Sequence, residues 1–128
     1  MNWQKTGADL ALRGHTQNQA RDFANRECLD NFGIKPNYVD LISGFNSGIQ
    51  KFCTPEFSLK FAAEGGIYQG TCPENVEEKV LAQHSTGRVI FLEGTVAKLK
   101  RTISDLESEV SRLKSENSDL EAKLRSTK

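Results

Sequence analysis

Apolar residues recur along the C-terminal third of the chain at alternating intervals of three and four. With Val89, Val96, Ile103, Val110, Asn117 and Leu124 at position a of a heptad, Leu92, Leu99, Leu106, Leu113 and Leu120 fall at d. Ten of these eleven positions are aliphatic and the register never slips, which predicts a coiled coil. β-Branched residues at a with leucine at d favour two parallel strands. Asn117 agrees: in a parallel pair it meets its twin and the two amides can bond, whereas an antiparallel pair would bury it against leucine. Flanking charges do not decide the orientation, since Glu109 can reach Lys114 of a partner while Glu116 would face Glu121. Residues 89–124 would extend about 54 Å as a helix. A compact head of this size is only roughly 30 Å across. The leucine row therefore predicts a partner helix rather than docking along its own head.

Upstream the spacing is again helical, without a sustained heptad. "HTQNQARDFANRECLDNFG" offers Thr16 as N-cap, an apolar face at Ala20, Phe23, Ala24 and Cys28, and Gly33 as terminator. After Pro36, Leu41, Phe45, Ile49 and Phe52 share one helical face. "TPEFSLKFAAEGG" starts with Thr54 as cap and Pro55 at the first helical position, and stops at Gly65-Gly66. "GGIYQGTCP" is a tight segment, locally extended at most, that leads to Cys72 as expected cap and Pro73 as first residue of the last helix. No alternating strand pattern competes, so the fold class is all-α. The expected organisation is a helical head over 1–73, a helical connector over 74–88 and a coiled coil over 89–128. Glycines inside the helices cost about 1 kcal/mol each against alanine. Gly44 and Gly48, four apart on one helix, with Gly7 and Gly14 on the first segment, therefore predict a close helix–helix approach. Gly87 and Gly94, on the outer f face of the last helix, either let the head dock there or soften the helix.

Composition narrows the function. Seventeen basic and seventeen acidic residues balance, and they balance on each side of Cys72 as well. No basic block exists to hold phosphates, so nucleic acid and anionic membrane surfaces are poor partners. The neutral stretch "PENVEEKVLAQHSTGR" before the heptads also lacks the basic helix of a DNA-binding zipper. No apolar run approaches the roughly 20 residues that span a bilayer, and "MNWQKTGADLALRG" is not a signal peptide. Either the protein is cytosolic, or an export segment was removed or left out.

Three cysteines, Cys28, Cys53 and Cys72, carry the remaining chemistry. A zinc site of the Cys3His kind would need His15 or His84 and would normally show one short pair of ligands, which is missing. A disulfide between Cys53 and Cys72 fits better, because the two bracket a helix and its return. Its loop of about 20 residues would contribute roughly 3 kcal/mol. Cys28, on an apolar face, reads as a buried thiol. His15 in a loop and His84 on a polar stretch read as solvated side chains. Ser85 and Thr86, beside His84, point to different faces of a helix. No catalytic constellation, cofactor site or metal set is expected, and the chain reads as a non-enzyme.

The glycine, aromatic and cysteine pattern resembles a known family. Trp3, Gly7 and Gly14 form W-x3-G-x6-G, Gly33 and Pro36 form G-x2-P, and Gly44, Gly48 and Cys53 form G-x3-G-x4-C. "CTP", "YQGTCP" with Tyr68, Gly70 and Cys72, and "TGRVIFLE" follow in order. The chain, over essentially its whole length, resembles the bacterial domain-of-unknown-function family 2799. That resemblance implies an exported envelope protein of the Gram-negative periplasm, often a lipoprotein, and no assigned activity. Where members carry Asp-Gly this chain has Leu10-Ala11, where they carry histidine it has Ala24, and where they carry tyrosine it has Leu41.

The expected molecule is a small interaction protein that self-associates through a parallel coil and presents a disulfide-pinned head. Its partners would be itself and an envelope protein, with membrane contact only through a lipid anchor. A ligand surface on the head would involve Trp3, Tyr38 and Tyr68. The competing readings are a cytosolic adaptor whose coil takes another protein's helix, its thiols reduced, and a metal-binding protein.

Overall fold

The computed structural model describes residues 1–127. Five α-helices and one π-helical segment follow in order: α1 (Trp3–Leu12), α2 (Gln17–Ala24), the π segment (Asn25–Asp30), α3 (Tyr38–Phe52), α4 (Pro55–Ala63) and α5 (Glu74–Ser126). No strand occurs among the described residues, so the molecule is all-α. Lys128, the last residue of the expected coil, lies outside the described residues.

Local chemistry starts and stops the head helices. The Asn2, Asn37 and Thr54 side chains accept from the backbone N–H groups of Lys5, Asp40 and Phe57, satisfying donors that open α1, α3 and α4. Thr16 does more than cap α2. Its hydroxyl accepts from the Gln19 N–H, while the Gln19 side chain accepts from the Thr16 N–H, a reciprocal capping box. At the end of α1, Gly14 takes a φ of 86° while Gly14 and His15 donate to Ala11 and Leu10. Gly65 and Gly66 repeat this pair of bonds after α4. After the π segment the corresponding bonds are each one residue wider, Gly33 to Leu29 and Ile34 to Cys28.

The largest helix–helix contact of the head joins α1 and α3 through glycine. A Cβ on Gly7 would fall 2.0 Å from the Leu41 carbonyl oxygen, and one on Gly44 would fall 1.9 Å from that of Gln4. On Gly48 it would meet the Ala8 oxygen at 2.6 Å. The backbones thus approach where side chains have been omitted from both helices, which offsets the propensity cost of mid-helix glycine. Contacts advance together from Gln4–Gly44 to Ala8–Gly48, so α1 and α3 run in the same direction. Around them Leu10, Ala11, Ala20, Ala24, Leu41 and Phe45 form one buried cluster, flanked by Trp3, Phe23, Tyr38 and Ile49.

A second cluster holds Phe52, Cys53, Cys72 and Val80, and Ile49 touches both. The Phe61 ring meets Phe52 edge-on at 5.0 Å and lies over Gly14 and Gly66. Buried Ser58 is satisfied by donating to the Val80 carbonyl at 3.0 Å.

Residues Met1–Phe91 make one compact unit, and a second begins at Leu92. The first part of α5, residues 74–91, therefore belongs with the head and includes the stretch expected as a connector. α5 starts at Glu74, one residue after the expected position, and the Cys72 sulfur is committed to a disulfide rather than to capping. A Cβ on Gly87 would fall 2.4 Å from the Leu59 carbonyl oxygen, so here α4 docks against the f face of α5. Gly94 has nothing within 4 Å.

Candidate interaction surfaces

The heptad row is open along its whole length. Val89, Leu92, Val96, Leu99, Ile103, Leu106, Val110, Leu113, Leu120 and Leu124 are 48–67% exposed, and Asn117 is exposed with them. Apolar side chains at this exposure and spacing form a continuous stripe, the kind of surface that marks an interaction site. Within the compact unit, Val80 and Gly87 (f) and His84 (c) turn toward the head, while Val89 (a) stays in solvent. On the seam's margin, Arg112 bridges two glutamates of its own helix, Glu109 at 2.5 Å and Glu116 at 2.6 Å. Such exposed pairs are screened by solvent and add little to stability. This fork was not anticipated, because Glu109 and Glu116 read from the heptad as partner-facing charges.

The second assembly of expected residues is the clamp around the disulfide. Cys53 and Cys72 are bonded, with Cα atoms 5.6 Å apart, which ties the end of α3 to the residue before α5. Tyr68 organises the segment between α4 and α5. Its hydroxyl accepts from the Cys72 N–H at 3.0 Å, its ring stacks on Phe52 and its own N–H donates to His84 Nε2 at 3.4 Å. Burial raises the Tyr68 hydroxyl above its usual pKa.

His84 corrects the sequence reading. It is not solvated but half-buried, with its ring near those of Phe61 and Tyr68. Because Nε2 accepts, Nδ1 carries the proton of the neutral ring, and that buried atom has no partner. Burial, with Arg88 as the smaller cause, holds the imidazole below its ordinary pKa. His15 is engaged with the Gln19 side chain at 3.3 Å. Thr86 donates to the Ala82 carbonyl, and Ser85 is exposed.

Trp3, Tyr38 and Tyr68 do not form one surface. Trp3 and Tyr38 pack on the first cluster, where the Tyr38 hydroxyl donates to Asn25 Oδ1, and Tyr68 packs on the second. All three act as half-buried anchors. Cys28 is half-buried and outside the disulfide. With Cys53 and Cys72 oxidised, the thiolates of a Cys3His set are not at hand, and among the described residues no group of three or more His, Cys, Asp or Glu is placed to hold a metal ion.

One surface the sequence did not reveal is a groove of about 630 Å³ beside α2 and the π segment. Leu10, Phe23 and Leu29 contribute its apolar lining, and Asp22, Arg26 and Asp30 its charged lining. Its only sequence signal is the i, i+4 repetition Asp22–Arg26–Asp30, which reads as an ordinary solvated face.

No curated protein and no solved structure matches this chain. The family model described as "Protein of unknown function (DUF2799)" matches residues 2–89, which takes in the glycine seam, the disulfide and His84 and stops at the first heptad position rather than covering the whole chain. The chain thus belongs to the family of proteins of unknown function DUF2799.

Proposed function

We propose that this chain is a non-enzymatic interaction protein of the bacterial periplasm, which pairs with itself through a parallel coiled coil and so presents two heads. The uncovered a/d row carries the reading. Fully burying a Leu, Val or Ile side chain contributes about 1.5–3 kcal/mol. Covering half of each of ten such residues in two chains outweighs the roughly 4–15 kcal/mol lost on association. Asn117 supports the parallel orientation, since the twin amides then meet. Two heads on one coil gain avidity for a repeated envelope target.

The disulfide is compatible with an oxidising compartment and supports the periplasmic placement. No helix among the described residues is long and apolar enough to cross a membrane. Any membrane contact in this reading is through a lipid anchor. Non-enzymatic character is supported by the histidines: a main-chain N–H occupies the one acceptor of His84, and His15 is held by Gln19.

One observation favours a second reading, a coil that takes another protein's helix. In a homodimer Glu116 (g) opposes Glu121 (e) of the partner, and like charges across a seam weaken it. Sedimentation at micromolar concentration separates the two. The proposal requires twice the 14.3 kDa of one chain. A monomer at that concentration overturns it and leaves the heterologous coil. Mass measured under denaturing conditions with and without reductant reports the thiols independently, and three free thiols would remove the argument for the periplasm.

A further inference from the structure

The head keeps a charged and apolar surface that neither the glycine seam nor the heptad row uses. The groove beside α2 is continued by a smaller one of about 200 Å³ that shares Leu10 and Phe23 with it. The rim of the larger groove carries Asp22, Arg26 and Asp30, and that of the smaller carries Asp9 of α1 and Arg13, the residue after that helix. Acid and base stand four residues apart on both rims, the spacing at which helical ion pairs form. Yet the ion pairs of the described residues all lie on α5, and these five charges form none. They are exposed and available to a ligand.

The wall itself is unusual. The π segment buries none of its residues fully and has no side-chain cap. π Turns are rare and concentrate at functional sites. Asn25, where the wall turns from α to π, is fixed by the Tyr38 hydroxyl. Past Leu29 the chain leaves Phe32 and Ile34 exposed at 74% and 61%, held by the bonds that end the π segment.

The geometry points to a peptide-binding groove whose occupant is a short extended stretch of a partner polypeptide, an assignment that rests on the interaction-protein reading and deepens it. An apolar side chain of the peptide sits on Leu10, Phe23 and Leu29. Flanking residues of opposite sign meet Arg26 on one side and Asp22 or Asp30 on the other. Rims of mixed sign suit such a segment, whereas a phosphate-rich ligand needs a cationic excess. Length agrees: from Gln19 to Asp30 the wall runs about 16 Å at helical rise, which five extended residues span at ~3.3 Å each. The volume falls within the range of about 300–1,000 Å³ usual for ligand sites.

Titration of the 15N-labelled full chain with the blocked pentapeptide Lys-Ala-Leu-Ala-Glu, followed by amide shifts, tests the assignment. Shifts are expected at Leu10, His15 and Phe23 to Asp30. The exposed changes Arg26→Glu and Leu29→Asp, each checked for retained helicity, should weaken binding about tenfold or more. No shift at about 1 mM peptide, shifts confined to α5, or unchanged binding in both variants overturns it. Broadening at Phe32 and Ile34 with phosphatidylglycerol vesicles, in a protein silent to the peptide, overturns it in favour of a lipid contact. Sedimentation of the same samples reports pairing separately, so failure of the groove and failure of the coil give different results.

Discussion

The head and the distal part of α5 solve the same problem by opposite means. In the head, α1 and α3 omit side chains at Gly7, Gly44 and Gly48, and each helix finds its complement in the same chain. Along residues 92–124 the helix keeps large aliphatics at every core position but Asn117, and those side chains are exposed. Stability of the first should therefore be independent of protein concentration. On the proposed pairing, stability of the second would depend on mass action, because a partner helix would then cover the row. A single glycine or leucine change thus reports on one regime alone.

The largest effect is expected at the seam of the head. Gly44→Val places a side chain 1.9 Å from the Gln4 carbonyl oxygen, a clash that only separation of α1 and α3 relieves. A loss of about 3–5 kcal/mol is expected, enough to unfold the head. Circular dichroism melts should then show one concentration-dependent transition, that of the coil. A retained concentration-independent transition would mean the two helices can part without loss of the fold.

Next comes the disulfide. Replacing Cys53 and Cys72 together by serine should cost about 3 kcal/mol, as expected for a loop of this length. The head transition should fall while the sedimentation coefficient of the assembly stays constant. A change in association state instead would show that the disulfide shapes the coil as well.

Asn117→Ile reverses the sign. It should raise the coil transition by on the order of 1 kcal/mol or more while loosening the choice of two strands, seen as species larger than a dimer in sedimentation. A variant that is less stable and still strictly dimeric would place Asn117 outside the seam and break the register.

The smallest effect is the pH response of His84. Its folded pKa is lowered, so the unfolded chain binds the proton more readily. The head should hold its full stability above the ordinary histidine value near 6.5 and lose some as the pH falls through it. Protonation would also set an Nε2–H donor against the Tyr68 N–H donor. Denaturant midpoints of wild type and His84→Gln, compared between about pH 7.5 and pH 5, measure this. Equal slopes for the two proteins would remove His84 from the pH response.

What the sequence disclosed was local or periodic. Thr16, Thr54 with Pro55, and Gly65 act on neighbours within a few residues, so their roles are readable without knowing the fold. Gly44, Gly48 and Gly7 announce a close approach between helices, although which glycine meets which carbonyl is not legible from their spacing. His84 reads as solvated because its chain neighbours are polar, while what surrounds it, Phe61 and Tyr68, arrives from other segments. Cys72 reads as a cap as well as a disulfide partner, and the segment after Ala24 reads as a continued α-helix, since propensity does not distinguish α from π winding. The groove was invisible for a related reason: its floor joins Leu10 of one helix to Phe23 and Leu29 of the next, and each alone reads as core or surface.

Because α1 and α3 point the same way, the chain must travel back the length of a ten-residue helix, about 15 Å, before α3 can begin. Residues 13–37 are that return leg, and the π-walled groove lies along it. A return leg has only to cover the distance and seal one side of the core, so its outward face can change without disturbing the glycine contact beneath. Sequence change can then accumulate on that outer wall while the foundation beneath it stays fixed.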